Sequence, residues 1–363
     1  MSRAKTFGRR AGLIGLAAGV AAAGVAAGAT AERFAVGRVR LRPDPRAREP
    51  FGTLRGHARS VVADDGVTLH VEELGDANAP LTMIFCHGFA LEMASWHYQW
   101  RDLTGRDTPG RLVFWDQRGH GRSGPSTPDH STIEWLGKDL RRVIETTAPT
   151  GPVVLIGHSM GGMSVMALAD QHPELFGTKI RGVAFLSTSS GKVAESFLQI
   201  PAALSVPFRR IAPHAASTIS RRAAILEHGR RAGSDVSFLF TRRVAFGSDV
   251  GPALVEFVER MIAATPIEVI ADFLPTFVDH DKLEALSVLT GVETLVMVGD
   301  RDRLTPPDHS RAIVQTLPDT EFVVVPSTGH MVMLERPSLV NLHLRTLCNR
   351  VARSLETSVL SSA

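Results

Sequence analysis

The chain has 363 residues, of which 44% are hydrophobic and 21% are charged. This length supports a large buried core and fits one large α/β domain that carries an insertion. A net charge of only +3 and an aromatic content of 6% exclude the basic, aromatic-rich surface that nucleic-acid binding requires. Two cysteines cannot build a disulfide framework, and no Cys/His group has metal-ligand spacing, so the sequence predicts neither a metal nor another cofactor.

Residues 1–34 have the composition of a signal peptide or a membrane anchor. Arg9 and Arg10 precede an uncharged run, Ala11 to Ala31, that is about as long as a bilayer core is thick. Two alternatives stay open: a signal cleaved after Ala27-Gly28-Ala29, or an uncleaved anchor whose glycines support helix pairing. Either one predicts a protein that is membrane-anchored or exported, and a disordered tail is the remaining alternative.

Residues 35–58 are rich in Arg, Pro and Asp without periodicity, which predicts a surface linker that lets the folded part stand off from the N-terminus. Beyond it, a predicted β-hairpin around Asp64-Asp65-Gly66 is followed by short apolar runs that alternate with segments of helical spacing. This alternation predicts an α/β fold: a mostly parallel, eight-stranded sheet with helices on both faces. The six predicted strands after the hairpin span 81–86, 111–115, 152–156, 180–186, 293–298 and 321–325.

The turn Gly157-His158-Ser159-Met160-Gly161 lies between an apolar run and an amphipathic stretch, which predicts a strand, a sharp turn and a helix. Such a turn tolerates only small flanking residues, and its strain holds the serine hydroxyl out of the backbone. Ser159 is therefore the predicted nucleophile. Because a serine hydroxyl is a poor nucleophile at its ordinary pKa, a neutral imidazole must take its proton during attack.

The required partners follow the last two predicted strands. Ligands of such sheets bind at the carboxyl ends of the strands, and the chain order of serine, aspartate and histidine is that of a hydrolase triad. His330 is the predicted general base. Asp300 and Asp302 compete to orient it, and Asp302 is favoured because Asp300 directly follows its strand and is placed to cap the loop.

A second predicted feature is an oxyanion hole, made by the backbone amides of Phe89 and Met160. Phe89 belongs to the turn His87-Gly88-Phe89, where glycine allows close backbone approach, and Met160 follows the nucleophile. Two such donors stabilise negative charge that develops only in the transition state. The ring of His87 is predicted to brace the loop rather than to take part in the chemistry.

Five ordered motifs resemble those of the α/β-hydrolase superfamily, nearest to its haloperoxidase-like and epoxide-hydrolase-like members. The resemblance implies that Asp302 is the triad acid and that Phe89 and Met160 supply the oxyanion amides. Epoxide hydrolases carry aspartate where this chain has Ser159, so the serine implies acyl chemistry at a carbonyl. The motifs are Gly157 to Gly162, His87-Gly88-Phe89, Asp116 to Ser123, Gly299 to Pro306, and Gly329 to Pro337. The resemblance implies that Asp116 to Ser123 is a structural turn, which leaves Arg118 and His120 outside the catalytic set.

Residues 192–262 interrupt the alternation and resemble the helical cap that this superfamily inserts after its sixth strand. The predicted core is then 59–191 with 263–355, and 356–363 form a tail. A cap excludes water and shapes the substrate pocket. Its candidate apolar inner face comprises Leu198, Ile200, Leu204, Val206, Phe208, Phe238, Leu239 and Phe240.

Together these features predict a serine hydrolase, carboxylesterase- or lipase-like, that cleaves a carboxylic ester or related carbonyl substrate with an apolar portion through an acyl-enzyme. The predicted partner is a small apolar ester-like molecule, with the oligomeric state left open. Two alternatives remain. The same triad would serve a carbon-carbon bond hydrolase or an acyltransferase, and a protein of another class would be a non-catalytic binding module.

Overall fold

The computed structural model describes residues 37, 40–104, 110–191 and 234–362. Eight strands form one sheet in the order β1-β2-β4-β3-β5-β6-β7-β8. β1 pairs with β2 and β2 with β4 in antiparallel fashion, and every other pair is parallel, which confirms the predicted α/β fold. The strands are β1 (His57–Val62), β2 (Thr68–Leu74), β3 (Thr82–Cys86), β4 (Arg111–Trp115), β5 (Val153–His158), β6 (Ile180–Leu186), β7 (Glu293–Gly299) and β8 (Glu321–Val325).

Helices cover both faces of this sheet. The described helices are α1 (His97–Asp102), α2 (Ile133–Thr147), α3 (Met160–Gln171), α4 (Ser234–Ala245), α5 (Pro252–Ala264), α6 (Ile267–Asp279), α7 (Pro307–Thr316), α8 (Val332–Glu335) and α9 (Pro337–Ser362). α9 therefore continues through most of the predicted tail, 356–363. Neighbouring residues of each buried strand point to opposite faces, so Phe85 packs into the core with α1, α5 and α9, whereas Ile84 packs into the core with α2, α3 and α7.

The register of the parallel strands brings their carboxyl ends to one edge. Cys86 at the end of β3 pairs with Gly157, His158 pairs with Leu186, and Gly299 pairs with Val325. The loops that follow β3, β5, β7 and β8 therefore start side by side. These loops carry all the predicted site residues.

The insert between β6 and β7 leaves and re-enters the core at one point. Gly191 forms an antiparallel bridge with Asp281, and the amide of Lys282 donates to the carbonyl of Ser190 at 2.7 Å. The segment between these points includes α6, so the helical insert extends beyond the predicted boundary at 262. The apolar face of α6 packs against α2 and α3, which is why its sequence has the pattern of a core helix. Cap residues 192–233 lie outside the described residues.

Residues 40–55 are not the predicted stand-off linker, because they pack against α5 of the insert. Arg42 forms a bidentate ion pair with Asp249, at 2.9 and 2.6 Å, and the Asp44 carboxylate accepts from the amide of Ala253 in the first turn of α5. Phe51 stacks on Phe257, with ring centroids 4.7 Å apart. These contacts are made by single side chains in a segment without hydrophobic periodicity, so the sequence pattern does not predict them.

The predicted membrane span, residues 11–31, lies outside the described residues. Within the described part of the chain, no single helix is long and apolar enough to cross a bilayer. α5 and α6 reach that threshold only when taken together, and the chain bends by 92° between them.

Candidate active site

Ser159 occupies a strained turn between β5 and α3. Its φ of 52° and ψ of −119° lie where L-residues are rarely found. The turn is packed so closely that Gly157 and Gly161 leave no room for a side chain. A Cβ on Gly157 would lie 2.6 Å from the carbonyl oxygen of Gly161, and one on Gly161 would overlap the carbonyl of Cys86. The Ser159 amide donates to Leu186 at 3.0 Å. The backbone is thus fixed, and the hydroxyl makes no hydrogen bond with any residue in the described ranges.

Backbone strain is concentrated at this edge of the sheet. Four non-glycine residues among those described have a positive φ, namely Ala90, Ser159, Ser187 and Ser327. They follow the carboxyl ends of β3, β5, β6 and β8. Such strain persists only where the surrounding structure enforces it, and it is typical of functional sites.

His330 and Asp302 form a buried hydrogen-bonded pair. The Nδ1 atom of His330 lies 2.9 Å from Asp302 Oδ2 and 3.1 Å from Oδ1. The carboxylate also accepts from the amides of Leu304 and Thr305 and from the Thr305 hydroxyl, at 2.9 to 3.0 Å. Burial opposes ionisation of Asp302, but the His330 ring and these donors outweigh it and hold the Asp302 pKa below its usual value. The carboxylate is therefore ionised and fixes a proton on Nδ1, which leaves Nε2 as the basic nitrogen.

Asp300, the competing carboxylate, lies elsewhere. It is exposed, and its Oδ1 atom accepts from the amide of Thr328 at 3.2 Å. Asp300 thus braces the loop that leads to His330, in agreement with its predicted capping role, and the described hydrogen bonds of the imidazole are with Asp302 and Thr305.

His158 connects the turn of Ser159 to the loop of His330. Its Nε2 atom donates to the carbonyl oxygen of His330 at 3.0 Å, and the two imidazole rings lie 4.8 Å apart. Burial, together with the neighbouring His330, lowers the pKa of His158 to about 3, so its ring is neutral at ordinary pH. The residue before the nucleophile therefore fixes the position of the predicted base.

The loop after β3 packs directly on the turn of Ser159. A Cβ on Gly88 would lie 2.8 Å from Nδ1 of the buried His158 ring and 3.2 Å from the Cβ of Ser159, so a side chain there would displace this ring. The amides of Phe89 and Met160 donate no hydrogen bond to the residues that the structure describes. Both amides are thus free of partners among the described residues, as oxyanion donors must be, and their role stays a prediction.

His87 and the turn at 116–123 brace this loop. His87 Nε2 accepts from the amide of Gln117 at 2.9 Å and Nδ1 donates to the carbonyl of Gly88 at 2.8 Å, while burial lowers the His87 pKa to about 4. His120 accepts from the amide of Ala90. The Arg118 guanidinium is buried between Asp139 and Asp65. All three side chains therefore hold structure, as the sequence indicated.

An apolar cluster adjoins the two amides. The ring of Phe89 is partly exposed and lies 5.0 Å from that of Phe277 on α6, in an edge-to-face arrangement. Phe273 of the same helix is buried against Met160 and Met163. The insert thus presents aromatic surface to the loop beside Ser159, although the residues responsible lie outside the predicted cap boundary.

Sequence reasoning missed three residues of this site. His158, Thr305 and Glu335 lie within the motifs but have no predicted role, yet each contacts His330, Asp302 or the loop that carries them. The available signal was a polar residue one to five positions from a predicted catalytic one. It does not specify which atom the side chain reaches.

The family model described as the alpha/beta hydrolase fold matches residues 82–337, which is more than half of the chain. The chain belongs to the α/β-hydrolase family. This α/β-hydrolase is 26% identical to the sn-1-specific diacylglycerol lipase ABHD11 of Mus musculus over 271 residues, which span 72% of this chain and 79% of that protein. It is 24% identical to the AB hydrolase superfamily protein YisY of Bacillus subtilis, over 77% of this chain and 95% of that protein.

Solved structures share the fold of this α/β-hydrolase. A thermophilic esterase from Thermogutta terrifontis superposes with a TM-score of 0.62 at 24% identity, covering 81% of this chain and 98% of that one. The enol-lactonase of Burkholderia xenovorans LB400 superposes with a TM-score of 0.63 at 20% identity, covering 80% of this chain and all of that one. These similarities show the architecture. A shared fold does not determine the chemistry of the site, which depends on the residues that this chain places there.

The different positions of the two aspartates predict different losses of esterase activity. Asp302→Asn should lower kcat by on the order of 10⁴, because an amide no longer fixes the required imidazole tautomer. The kcat of Asp300→Asn should stay within about fivefold of the parent value. The asparagine side-chain oxygen can still accept from the amide of Thr328, and this single hydrogen bond braces a loop rather than the imidazole. Hydrolysis of a chromogenic ester by folded, purified variants measures both values. The opposite ranking would show that Asp300 is the orienting carboxylate.

Proposed function

We propose that this α/β-hydrolase cleaves carboxylic esters with an apolar acyl portion through an acyl-enzyme on Ser159. The observation that carries the proposal is the buried Asp302–His330 pair, joined by His158 to the strained turn of the serine. A binding module has no need for a buried, ionised carboxylate that fixes the tautomer of an imidazole whose loop is bonded to the turn of a serine.

The proposed reaction begins when Ser159 Oγ attacks the ester carbonyl and His330 Nε2 takes its proton. The amides of Phe89 and Met160 stabilise the oxyanion, and Asp302 stabilises the imidazolium. The intermediate collapses as His330 returns the proton to the leaving alkoxide, which departs as an alcohol. Water, deprotonated by His330, then attacks the acyl-enzyme and releases the acid, and the proton returns to Ser159.

Two lines of support favour an apolar ester over a peptide. The ring of Phe89 and the aromatic face of α6 lie beside the proposed oxyanion amides. Relatives and fold neighbours include a diacylglycerol lipase and several esterases, so ester hydrolysis recurs among similar chains. A relative named as a proline iminopeptidase also occurs, which makes an aminoacyl substrate a meaningful comparison.

The proposed nucleophile predicts covalent labelling by a fluorophosphonate. Ser159→Ala should abolish labelling, whereas Ser287→Ala, at an exposed serine in the short 3₁₀ helix before β7, should label like the parent. Because the three side chains act as a unit, Ser159→Ala and His330→Ala should each lower kcat by on the order of 10⁴ to 10⁶, with little further loss in the double variant. Undiminished ester hydrolysis by Ser159→Ala would contradict the assignment.

The proposed apolar pocket predicts a rise of kcat/KM with acyl chain length. Each buried methylene should contribute roughly 0.8 kcal/mol, and this appears in kcat/KM where the contact persists in the transition state. A p-nitrophenyl ester series should therefore rise from acetyl to medium acyl chains and fall once the insert cannot enclose the chain. A flat series, or an aminoacyl-arylamide cleaved faster than any ester, would contradict an apolar acyl pocket.

A further inference from the structure

Glu335 is a buried carboxylate that ends α8, five residues after the proposed base. Its Oε1 atom accepts from the amide of Gly329 at 2.6 Å and from that of Gly247 at 3.1 Å. Its Oε2 atom accepts from the amide and the hydroxyl of Ser248, at 2.9 and 2.5 Å. Gly329 immediately precedes His330, whereas Gly247 and Ser248 belong to the α4–α5 connection of the insert. One side chain therefore links the loop of the base to the insert.

Further contacts join the same two parts of the chain. On the other side of His330, the amide of Met331 donates to the carbonyl of Ala245 at 3.0 Å. A Cβ on Gly329 would overlap the backbone of Phe246 and Gly247, so the two segments are in backbone contact. His330 is thus flanked by Gly329, whose backbone packs against the α4–α5 connection, and by Met331, which is bonded to the last residue of α4.

The loop of Asp302 is attached to the same connection. Arg301 donates to the carbonyl of Gly247 at 3.1 Å and Arg303 donates to that of Arg243 at 3.0 Å. The residues on either side of Asp302 and of His330 therefore all contact residues 243–248. These residues do not reach the proposed nucleophile, whose position is fixed by β5, β6 and the loop after β3.

We propose that Glu335 is a positioning residue that couples the insert to the base, so that the imidazole is held in its working position only while the α4–α5 connection is docked. This inference rests on the proposed function, since it assigns Glu335 an effect on the step that His330 performs. The mechanism is geometric. A small displacement of a group that transfers a proton lowers the rate without weakening substrate binding by a similar factor.

Glu335→Gln tests the coupling. Both carboxylate oxygens accept from backbone amides, so either orientation of the glutamine turns its NH₂ group toward an N–H donor. We expect kcat to fall by on the order of 10², as for displacement of a catalytic group by about 1 Å, while KM changes by less than about threefold. The matched control is Glu293→Gln, which loses an ion pair with Arg350 at the opposite end of β7 and should keep the parent kcat.

Ser248 provides a test on the insert side that needs no change in the loop of His330. Ser248→Ala removes one hydrogen bond to Glu335 and should lower kcat by about fivefold, and Ser248→Thr, which keeps the hydroxyl, should restore it. Ser248→Ala should add nothing to Glu335→Gln, because the two changes break the same link. If Glu335→Gln does not fold, the Ser248 pair alone gives the result.

The outcomes separate the two proposals. Failure of the parent protein to label at Ser159 with a fluorophosphonate overturns the proposed function, whatever Glu335 does. If the parent labels and turns over esters, but folded Glu335→Gln or Ser248→Ala keeps the parent kcat and loses only thermal stability, the coupling is overturned. A loss of kcat in Ser248→Thr equal to that in Ser248→Ala also overturns it.

Discussion

Close backbone packing at the carboxyl end of β5 is the constraint on which the rest of the site depends. Gly157, Gly161 and Gly88 each lie where a Cβ would overlap a neighbouring segment or press against it. Without side chains at these positions, the loop after β3 and the first turn of α3 approach each other closely, as two amides that share one oxyanion must. The same packing holds Ser159 in its positive φ, so the proposed nucleophile and the proposed oxyanion donors depend on a single local arrangement.

The remaining half of the site is supported by a different part of the chain. Asp302 and His330 lie on loops after β7 and β8, and both loops are bonded to the insert, through Arg301 and Met331. The bond from His158 to the carbonyl of His330 joins the two halves. The neutral, buried rings of His87 and His158 add no positive charge near the oxyanion site, so the imidazolium of His330 is the cation that would form there during turnover.

The strands and the contact between Asp302 and His330 were predictable from sequence, whereas the catalytic roles of the site residues stay predictions. Short β-rich apolar runs mark the strands, and Ser159 lies between glycines that only a tight turn requires. His330 and Asp302 follow from the rule that the carboxyl ends of parallel strands meet. Asp302 was favoured over Asp300 because Asp300 directly follows its strand and is placed to cap the loop, where its side chain accepts from the amide of Thr328.

Features that depend on contacts between distant segments were not predictable. α6 has the apolar face of a core helix, so its sequence does not reveal that it lies within the insert. Phe51 and Asp44 lie in a segment without periodicity, and their partners on α5 are some 200 residues away. Glu335 accepts hydrogen bonds from backbone amides, which nearly every residue type has. The sequence therefore does not indicate that its partners are Gly247 and Ser248, and only the structure shows this.

Acylation of Ser159 is tested most directly by mass spectrometry of the protein after reaction with an activated carbamate, whose carbamoyl-enzyme is hydrolysed slowly. We expect one carbamoyl group per chain, located on the peptide that contains Ser159, with esterase activity lost in proportion to its formation. A carbamoyl group on another side chain, or complete inactivation while the Ser159 peptide stays unmodified, would contradict it.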